Sequence, residues 1–121
     1  MGRDVDYSLA RRNVVRDVQR GVLTRGDVCD AHPELLRAAA NLGRTSTTAC
    51  PICAAPELRY VAYAYGDSLK APGGRVVASA AELRKLGRRH DDLQLYDVEV
   101  CLECRWNYMV RTFPGGRRRT G

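Results

Sequence analysis

Long apolar runs and large aromatic side chains are scarce in this 121-residue chain, which contains one Phe and one Trp. No segment approaches the ~18 consecutive apolar residues that a membrane-spanning helix requires. Asp4 and Asp6 lie where a signal peptide would have its apolar run. We therefore expect a soluble, cytoplasmic protein that makes no membrane contact. The length excludes a large multidomain enzyme, and the small apolar content favours stabilisation by something besides hydrophobic burial.

Acidic residues are outnumbered, and the basic excess lies mostly at the C-terminal end. The chain has 20 Lys+Arg against 14 Asp+Glu, a formal net charge of +6. Residues 105–121 contain five Arg and no acidic residue. Apart from Lys70 and Lys85, every basic residue is Arg, which suits bidentate phosphate contacts and stacking on bases, although an Arg-rich genome produces the same bias. The charge permits nucleic-acid binding without requiring it.

Apolar spacing predicts an N-terminal unit of three helices in residues 1–43. The first is expected over 7–20, with Asp6 as its N-cap. Thr24 and Asp27 form a capping box before a short second helix that ends near residue 31. Pro33 suits the first turn of a third helix over 33–41. The polar residues 44–49 are predicted to be a linker.

Alternating patterns predict three strands in the second part of the chain, near 58–65, 93–100 and 106–113. The insertion at 66–92, between the first two strands, contains a short helix that starts at the capping box of Ser79 and Glu82. Residues 114–121 are predicted to be a disordered basic tail.

Four of the five cysteines form two C-x-x-C pairs, Cys50 with Cys53 and Cys101 with Cys104. This spacing lets each turn present two sulfurs to one ion, so the pairs predict a tetrahedral four-thiolate Zn²⁺ site. An iron–sulfur cluster and two separate redox dithiols are alternatives. Because four Cys leave no vacancy for water or substrate, the zinc is expected to be structural and the protein is not expected to be an enzyme. Removing the metal is expected to unfold residues 50–113.

The two cysteine pairs and the strands between them resemble a zinc ribbon, in which two C-x-x-C knuckles clamp a small antiparallel sheet. The resemblance covers residues 50–113. It implies an α+β fold: the three-helix unit followed by a three-stranded antiparallel ribbon with a helical insertion. Ribbon knuckles commonly carry Gly after the second Cys, where this chain has Ala54 and Arg105. The whole chain is also similar to a family of small, uncharacterised actinobacterial proteins, which supplies no activity.

A second motif points to different chemistry. His32 and Glu34, followed by the first cysteine pair, resemble the H-x-E…P-C-x-x-C signature of zinc deaminases. Ala49 replaces the expected Pro, and the second cysteine pair would have no role, so this enzyme is the less favoured hypothesis. Cys29 is interpreted as a small apolar core residue, with a metal pair formed with His32 as the alternative.

Arg-rich segments supply the candidate nucleic-acid contacts. Aromatic residues on the strands, Tyr63, Tyr65, Trp106 and Tyr108, are either stacking faces or core residues. The Leu- and Ala-rich helix at 33–42 is a poor reader of DNA bases. The predicted phosphate-binding residues are Arg84, Arg88, Arg89, Arg111, Arg117, Arg118 and Arg119.

The favoured hypothesis is a non-enzymatic zinc-binding protein that associates with RNA, DNA or a nucleoprotein machine. The ribosome or RNA polymerase is suggested only by analogy with other zinc ribbons. The alternative is an adaptor that docks a protein partner through its N-terminal helices while the zinc stabilises the fold.

Overall fold

A computed structural model describes residues 4–115. Within it the chain forms four α-helices and one short 3-10 helix, Asp67–Leu69. The α-helices are α1 (Ser8–Gln19), α2 (Arg25–Val28), α3 (Pro33–Leu42) and α4 (Ala80–Arg89). The N-terminal helices and the helix in the insertion therefore form where the sequence predicts them.

The described residues form one six-stranded antiparallel sheet, made of β1 (Val5–Asp6), β2 (Arg44–Thr45), β3 (Arg59–Tyr65), β4 (Arg75–Val77), β5 (Gln94–Val100) and β6 (Asn107–Pro114). The central strands are β3 and β5. The order is β1-β6-β5-β3-β2, and β4 also pairs with β3. Because β2 and β4 pair with successive parts of β3, they lie in tandem along the same edge.

The α+β class is confirmed, but the prediction of a three-stranded sheet is wrong. The three predicted strands correspond to β3, β5 and β6. The three additional strands, β1, β2 and β4, are two or three residues long. Segments this short carry no readable alternation, so only their partners in the sheet define them.

The helix caps follow the sequence closely. The capping box of Thr24 and Asp27 is present in both directions. Ser79 accepts a hydrogen bond from the Glu82 N–H, as expected at the start of α4. At α1 the N-cap position is Tyr7 rather than Asp6, although the Asp6 carboxylate still accepts a hydrogen bond from the backbone N–H of Ser8 at 2.7 Å.

Helices cover both faces of the sheet. On one face, α3 packs Ala39 with Val61 and Val100. On the other face, α4 packs Leu86 against Leu95, while α1 lies over the end of the sheet that carries the cysteines. The strand β1, just before α1, pairs with β6. The amphipathic spacing of α3 and α4 is therefore satisfied by burial against the sheet.

The predicted division into a helical unit at 1–43, a linker at 44–49 and a ribbon at 50–113 stays a prediction. Strand pairing in the structure connects these parts of the chain. Arg44 and Thr45 form β2, which continues the sheet beside β3. The insertion at 66–92 contributes β4 as well as α4. Of the predicted tail 114–121, Pro114 closes β6, and residues 116–121 lie outside the described residues. Among residues 4–115, no helix has the length and apolar character needed to cross a membrane.

Candidate metal centre

Each C-x-x-C pair lies in the turn of an antiparallel hairpin. The first turn joins the β2 segment to β3, and the second joins β5 to β6. Arg59 at the start of β3 pairs with Val100 at the end of β5, and Val100 in turn pairs with Asn107. The sheet register therefore brings both turns to the same end of the molecule, which we call the knuckle end.

The two turns have the same backbone hydrogen bonds. The Ala54 N–H donates to the Cys50 carbonyl, and the Arg105 N–H donates to the Cys101 carbonyl, both at 3.0 Å. Ala54 and Arg105 both adopt positive φ, 64° and 73°. These are the positions where ribbon knuckles commonly carry Gly, and the left-handed conformation explains that preference, since only Gly adopts it without steric cost. The absence of Gly therefore does not prevent the knuckle geometry.

The four sulfurs form one compact cluster, with every pair of Sγ atoms within 4.8 Å. The Sγ–Sγ distance is 3.7 Å between Cys50 and Cys104 and 3.6 Å between Cys53 and Cys101. A tetrahedral ion with metal–sulfur bonds of about 2.3 Å places its sulfurs about 3.8 Å apart. The four cysteines can therefore hold a metal ion, and the expected set of Cys50, Cys53, Cys101 and Cys104 is the one that the fold assembles.

The protein surroundings set the proton affinity of these thiols before any metal binds. Burial raises the pKa of Cys50, Cys101 and Cys104, the last to about 12. At Cys53, burial is the largest single influence and acts to raise the pKa, but hydrogen bonds from the Ala55 N–H and the neighbouring thiols together outweigh it and lower the pKa. Backbone N–H groups of Ile52 and Cys53 point at the Cys50 sulfur, at 3.4 and 3.5 Å. Such donors stabilise a thiolate once a cation has displaced the proton.

A buried ionic network supports the knuckle end from the side of α1. Glu99 on β5 is 2% exposed and accepts hydrogen bonds at 2.7 Å from Arg11 on α1 and from the Trp106 indole N–H. Tyr60 donates a third hydrogen bond to the same carboxylate at 3.2 Å. Trp106 is fully buried, in the same cluster as Cys50 and Cys101. The sequence pattern gives no sign of this network beyond an acidic residue on the core-facing side of a strand.

Cys29, interpreted from the sequence as a core residue, lies directly beside the cluster. Its Sγ donates a hydrogen bond to the Sγ of Cys104 at 3.5 Å. Cys29 is half-buried and ends the short helix α2. No spacing rule could have found this contact, because 75 residues separate the two thiols in the chain.

The deaminase-like pattern is not assembled. His32 caps α3, where its Nδ1 accepts a hydrogen bond from the Glu34 N–H at 3.1 Å. Among the described residues, the cysteine cluster is the sole group of three or more potential metal ligands, and it does not include His32. The alternative pairing of His32 with Cys29 as metal ligands stays a prediction.

The predicted phosphate-binding residues are separated into three groups. Arg84, Arg88 and Arg89 lie exposed on α4 with Lys85. Arg111 on β6 is held by Asp4, with an N–O distance of 2.8 Å, and covers the ring of Phe113. The remaining three, Arg117, Arg118 and Arg119, lie outside the described residues.

The predicted stacking residues divide between the two faces of the sheet. Trp106 is buried and stacks on Tyr108, with ring centroids 5.8 Å apart. On the opposite face a groove of about 650 Å³ runs beside α3, and no Arg or Lys of the described residues lines it. Its walls include His32, Glu34, Tyr63, Tyr65, Tyr96 and Met109.

Fold and site together define a small α+β protein with a cluster of four cysteines that is able to hold a metal ion. The chain belongs to the family of unknown function DUF5318, whose model matches residues 2–120. It is similar to uncharacterized protein Rv0049 of Mycobacterium tuberculosis strain H37Rv and uncharacterized protein Mb0050 of Mycobacterium bovis. Each is 38% identical over 115 residues, which cover 95% of this chain and 83% of the relative. No solved structure matches the chain. The expected similarity to uncharacterised actinobacterial proteins is thus confirmed.

Proposed function

We propose that this protein is a non-enzymatic zinc-ribbon protein that binds nucleic acid through the exposed basic face of α4. Zn²⁺ would be held by the four cysteines and would fix the two knuckles to each other. The donor set supports this assignment, because four thiolates suit a closed tetrahedral zinc site that leaves no position for substrate. The zinc is therefore structural, and the function depends on what the surface recognises.

The observation that carries nucleic-acid binding is the arrangement of cations on α4. Arg84 and Arg88 are four residues apart, as are Lys85 and Arg89, so the four side chains occupy one face of the helix. All four are exposed, whereas Leu86 and Gly87 on the opposite face are buried. Arg side chains on one rigid helix face can each contact a phosphate oxygen.

The test is a salt titration of the zinc-loaded full chain with two probes, a labelled 20-nucleotide RNA strand and a DNA duplex of the same sequence. Phosphate contacts predict that the logarithm of the affinity falls linearly with the logarithm of the salt concentration. The double variant Arg84→Gln/Arg89→Gln is expected to reduce that slope by about 1.4–1.8, since each lost contact removes about 0.7–0.9.

The matched control removes the same charge from α1 and its C-cap, as Arg12→Gln/Arg20→Gln, at two exposed positions. It is expected to leave the slope nearly unchanged. Equal losses in both double variants would show only a general charge effect and would refute a role for α4. Failure to bind either probe at low salt would reject nucleic-acid binding altogether.

A second candidate function, docking of a protein partner, is favoured by the groove beside α3. The groove combines aromatic rings with the Glu34 carboxylate, and the rings of Tyr65 and Tyr96 meet edge to face at 5.2 Å. Burial, followed by the nearby charges of Tyr65 and Glu34, raises the pKa of Tyr63. Aromatic faces beside a carboxylate suit a guanidinium group, so the occupant we propose is an arginine-bearing segment of a partner protein.

A peptide that alternates Arg and Leu tests the groove directly. It is expected to bind the zinc-loaded chain, and Glu34→Gln is expected to weaken that binding while leaving nucleic-acid affinity unchanged. A peptide with Glu in place of Arg is the control. Equal binding of both peptides would refute the docking function.

A further inference from the structure

The fifth thiol of the chain, that of Cys29, lies against the second knuckle, which is the turn that carries Cys101 and Cys104. The Cys29 Sγ lies 3.5 Å from the Cys104 Sγ, as close as the proposed zinc ligands lie to one another. Cys29 is the one cysteine of the five outside the ligand set. It therefore places a free thiol next to a single, identified ligand.

The contact is fixed by the surrounding backbone. The Ala31 N–H donates to the Arg105 carbonyl at 3.1 Å, and the Asn107 amide donates to the Asp30 carboxylate at 2.9 Å. The Cys29 N–H is held within α2 by the Arg25 carbonyl at 2.7 Å. Residues 30 and 31, directly after Cys29, are thus bound to the second knuckle and the start of β6, while α2 holds the Cys29 backbone on the other side. The position of the thiol therefore follows from the fold.

Solvent reaches this pair more easily than it reaches Cys50 and Cys101. Cys50 and Cys101 are buried, whereas Cys29, Cys53 and Cys104 are half-buried. Cys53 has close contact with another ligand, Cys101, but not with a thiol outside the set. Cys104 is therefore the one ligand that is both partly accessible and in contact with a spare thiol.

We propose that Cys29 and Cys104 form a reversible disulfide when hydrogen peroxide oxidises the centre, and that this modification releases the metal. The proposal rests on the proposed zinc site. The Cys104 thiolate attacks one peroxide oxygen, the O–O bond breaks, and hydroxide leaves to become water, which gives a sulfenic acid at Cys104. Cys29 then attacks that sulfur, the S–O bond breaks, and a second water leaves.

The balance is two thiols and one peroxide converted to one disulfide and two waters. The two sulfurs are oxidised and the peroxide is reduced. The disulfide removes one of four thiolates from the ion, and three remaining Cys hold it less tightly. Because a thiol reductant cleaves the disulfide, reduction in the presence of zinc restores the four-thiolate site.

The experiment treats the zinc-loaded full chain with less than one equivalent of hydrogen peroxide. A chromogenic chelator measures zinc release, and mass spectrometry of unreduced peptides identifies the disulfide. We expect a Cys29–Cys104 linkage to form in step with zinc release, and dithiothreitol with added zinc to reverse both. A first disulfide between two ligand cysteines, such as Cys50 with Cys104, would overturn the proposal.

Cys29→Ser supplies the matched variant, because it removes the spare thiol and none of the ligands. It is expected to bind zinc with unchanged stoichiometry and to lose the fast, reversible phase of release. Wild-type release kinetics in this variant would count against the proposal. The disulfide map of the wild-type chain decides the matter even if the variant folds poorly.

The two hypotheses fail in different ways. A chain purified without stoichiometric zinc would reject the zinc centre, yet peroxide would still reveal whether Cys29 pairs with Cys104. A chain that holds zinc but oxidises elsewhere would reject the modification site and keep the zinc centre.

Discussion

The knuckle end of the sheet and the end covered by α4 are stabilised in different ways. At the knuckle end the buried cluster consists of Cys50, Cys101, Leu58 and Trp106, with the carboxylate of Glu99 beside it. At the α4 end the buried cluster is entirely aliphatic and is formed by Ala64, Val77, Leu86, Leu93 and Leu95. One continuous sheet therefore joins a sulfur-rich, polar core to a hydrocarbon core.

This difference gives the proposed metal ion a stabilising role at only one end of the sheet. Thiols bury little apolar surface, and a buried carboxylate contributes stability only while its partners remain in place. The α4 end gains stability from apolar burial directly. We expect the two ends to respond differently to each of the following changes.

Metal removal is expected to have the largest effect and to be confined mainly to the knuckle end. Structural zinc sites contribute on the order of 10 kcal/mol of binding free energy. Chelation, or Cys101→Ser, should abolish amide-exchange protection around residues 50–58 and 101–107. Protection at Ala64 and Leu95, in the α4 end, should fall less, because their packing involves no cysteine.

Equal loss of protection at both ends would contradict this expectation and would show one cooperative unit. That result would agree with the sequence-based prediction that the whole of 50–113 unfolds without metal.

Acidification is expected to weaken metal binding steeply. Since burial raises the pKa of Cys50, Cys101 and Cys104, these groups are protonated at neutral pH in the metal-free protein. Binding must displace their protons, so affinity rises with pH and falls about tenfold per pH unit for each proton displaced. Three protons give a change of about 1000-fold per unit, measurable by competition with a chelator of known affinity.

A metal affinity that is flat across the neutral range would show that the thiols are already ionised. It would also show that burial at the knuckle end does not raise the pKa of these thiols.

Leu95→Ala tests the opposite end. Leu95 is fully buried between α4 and the sheet, and such truncations cost about 2–5 kcal/mol. We expect a lower free energy of unfolding in denaturant titration with unchanged zinc stoichiometry. Leu102→Ala, at a 38% exposed position in the second knuckle, is the control and should cost much less. Loss of zinc from Leu95→Ala would show that the two ends are not independent.

Much of the candidate site could be predicted from the sequence because its signal is local. C-x-x-C spacing fixes which cysteines share a turn, and the alternation of β3, β5 and β6 is long enough to identify each strand. The capping box of Thr24 and Asp27 marks a helix start for the same reason: every partner lies within a few residues.

The remaining features depend on contacts between distant parts of the chain. Cys29 meets Cys104, and Arg11 meets Glu99, across 75 and 88 residues. No periodic pattern encodes such contacts. The short strands β1 and β2 have the same origin, since two residues become a strand only when a partner is already present. The groove beside α3 also arises only after the helix has packed on the sheet.

The smallest expected effect concerns the turn geometry at the knuckle end. Arg105 has a φ of 73°, a conformation that costs a residue with a side chain about 1–2 kcal/mol. Its side chain is exposed, and its hydrogen bonds in the knuckle involve only its backbone N–H and carbonyl. Arg105→Gly should therefore keep those bonds and remove the strain. The greater freedom of Gly in the unfolded chain offsets part of the gain, which leaves a net stabilisation of about 0.5–1 kcal/mol.

Glu103→Gly is the matched control, because Glu103 lies in the same knuckle, is also exposed and does not have a positive φ. This variant is expected to destabilise the protein slightly, because the added Gly increases the conformational entropy of the unfolded chain and relieves no strain in the folded one. Thermal unfolding of both zinc-loaded variants separates the two effects by their sign. If both variants lose stability, the left-handed turn at Arg105 is not strained, and the preference for Gly in ribbon knuckles must have a cause other than backbone conformation.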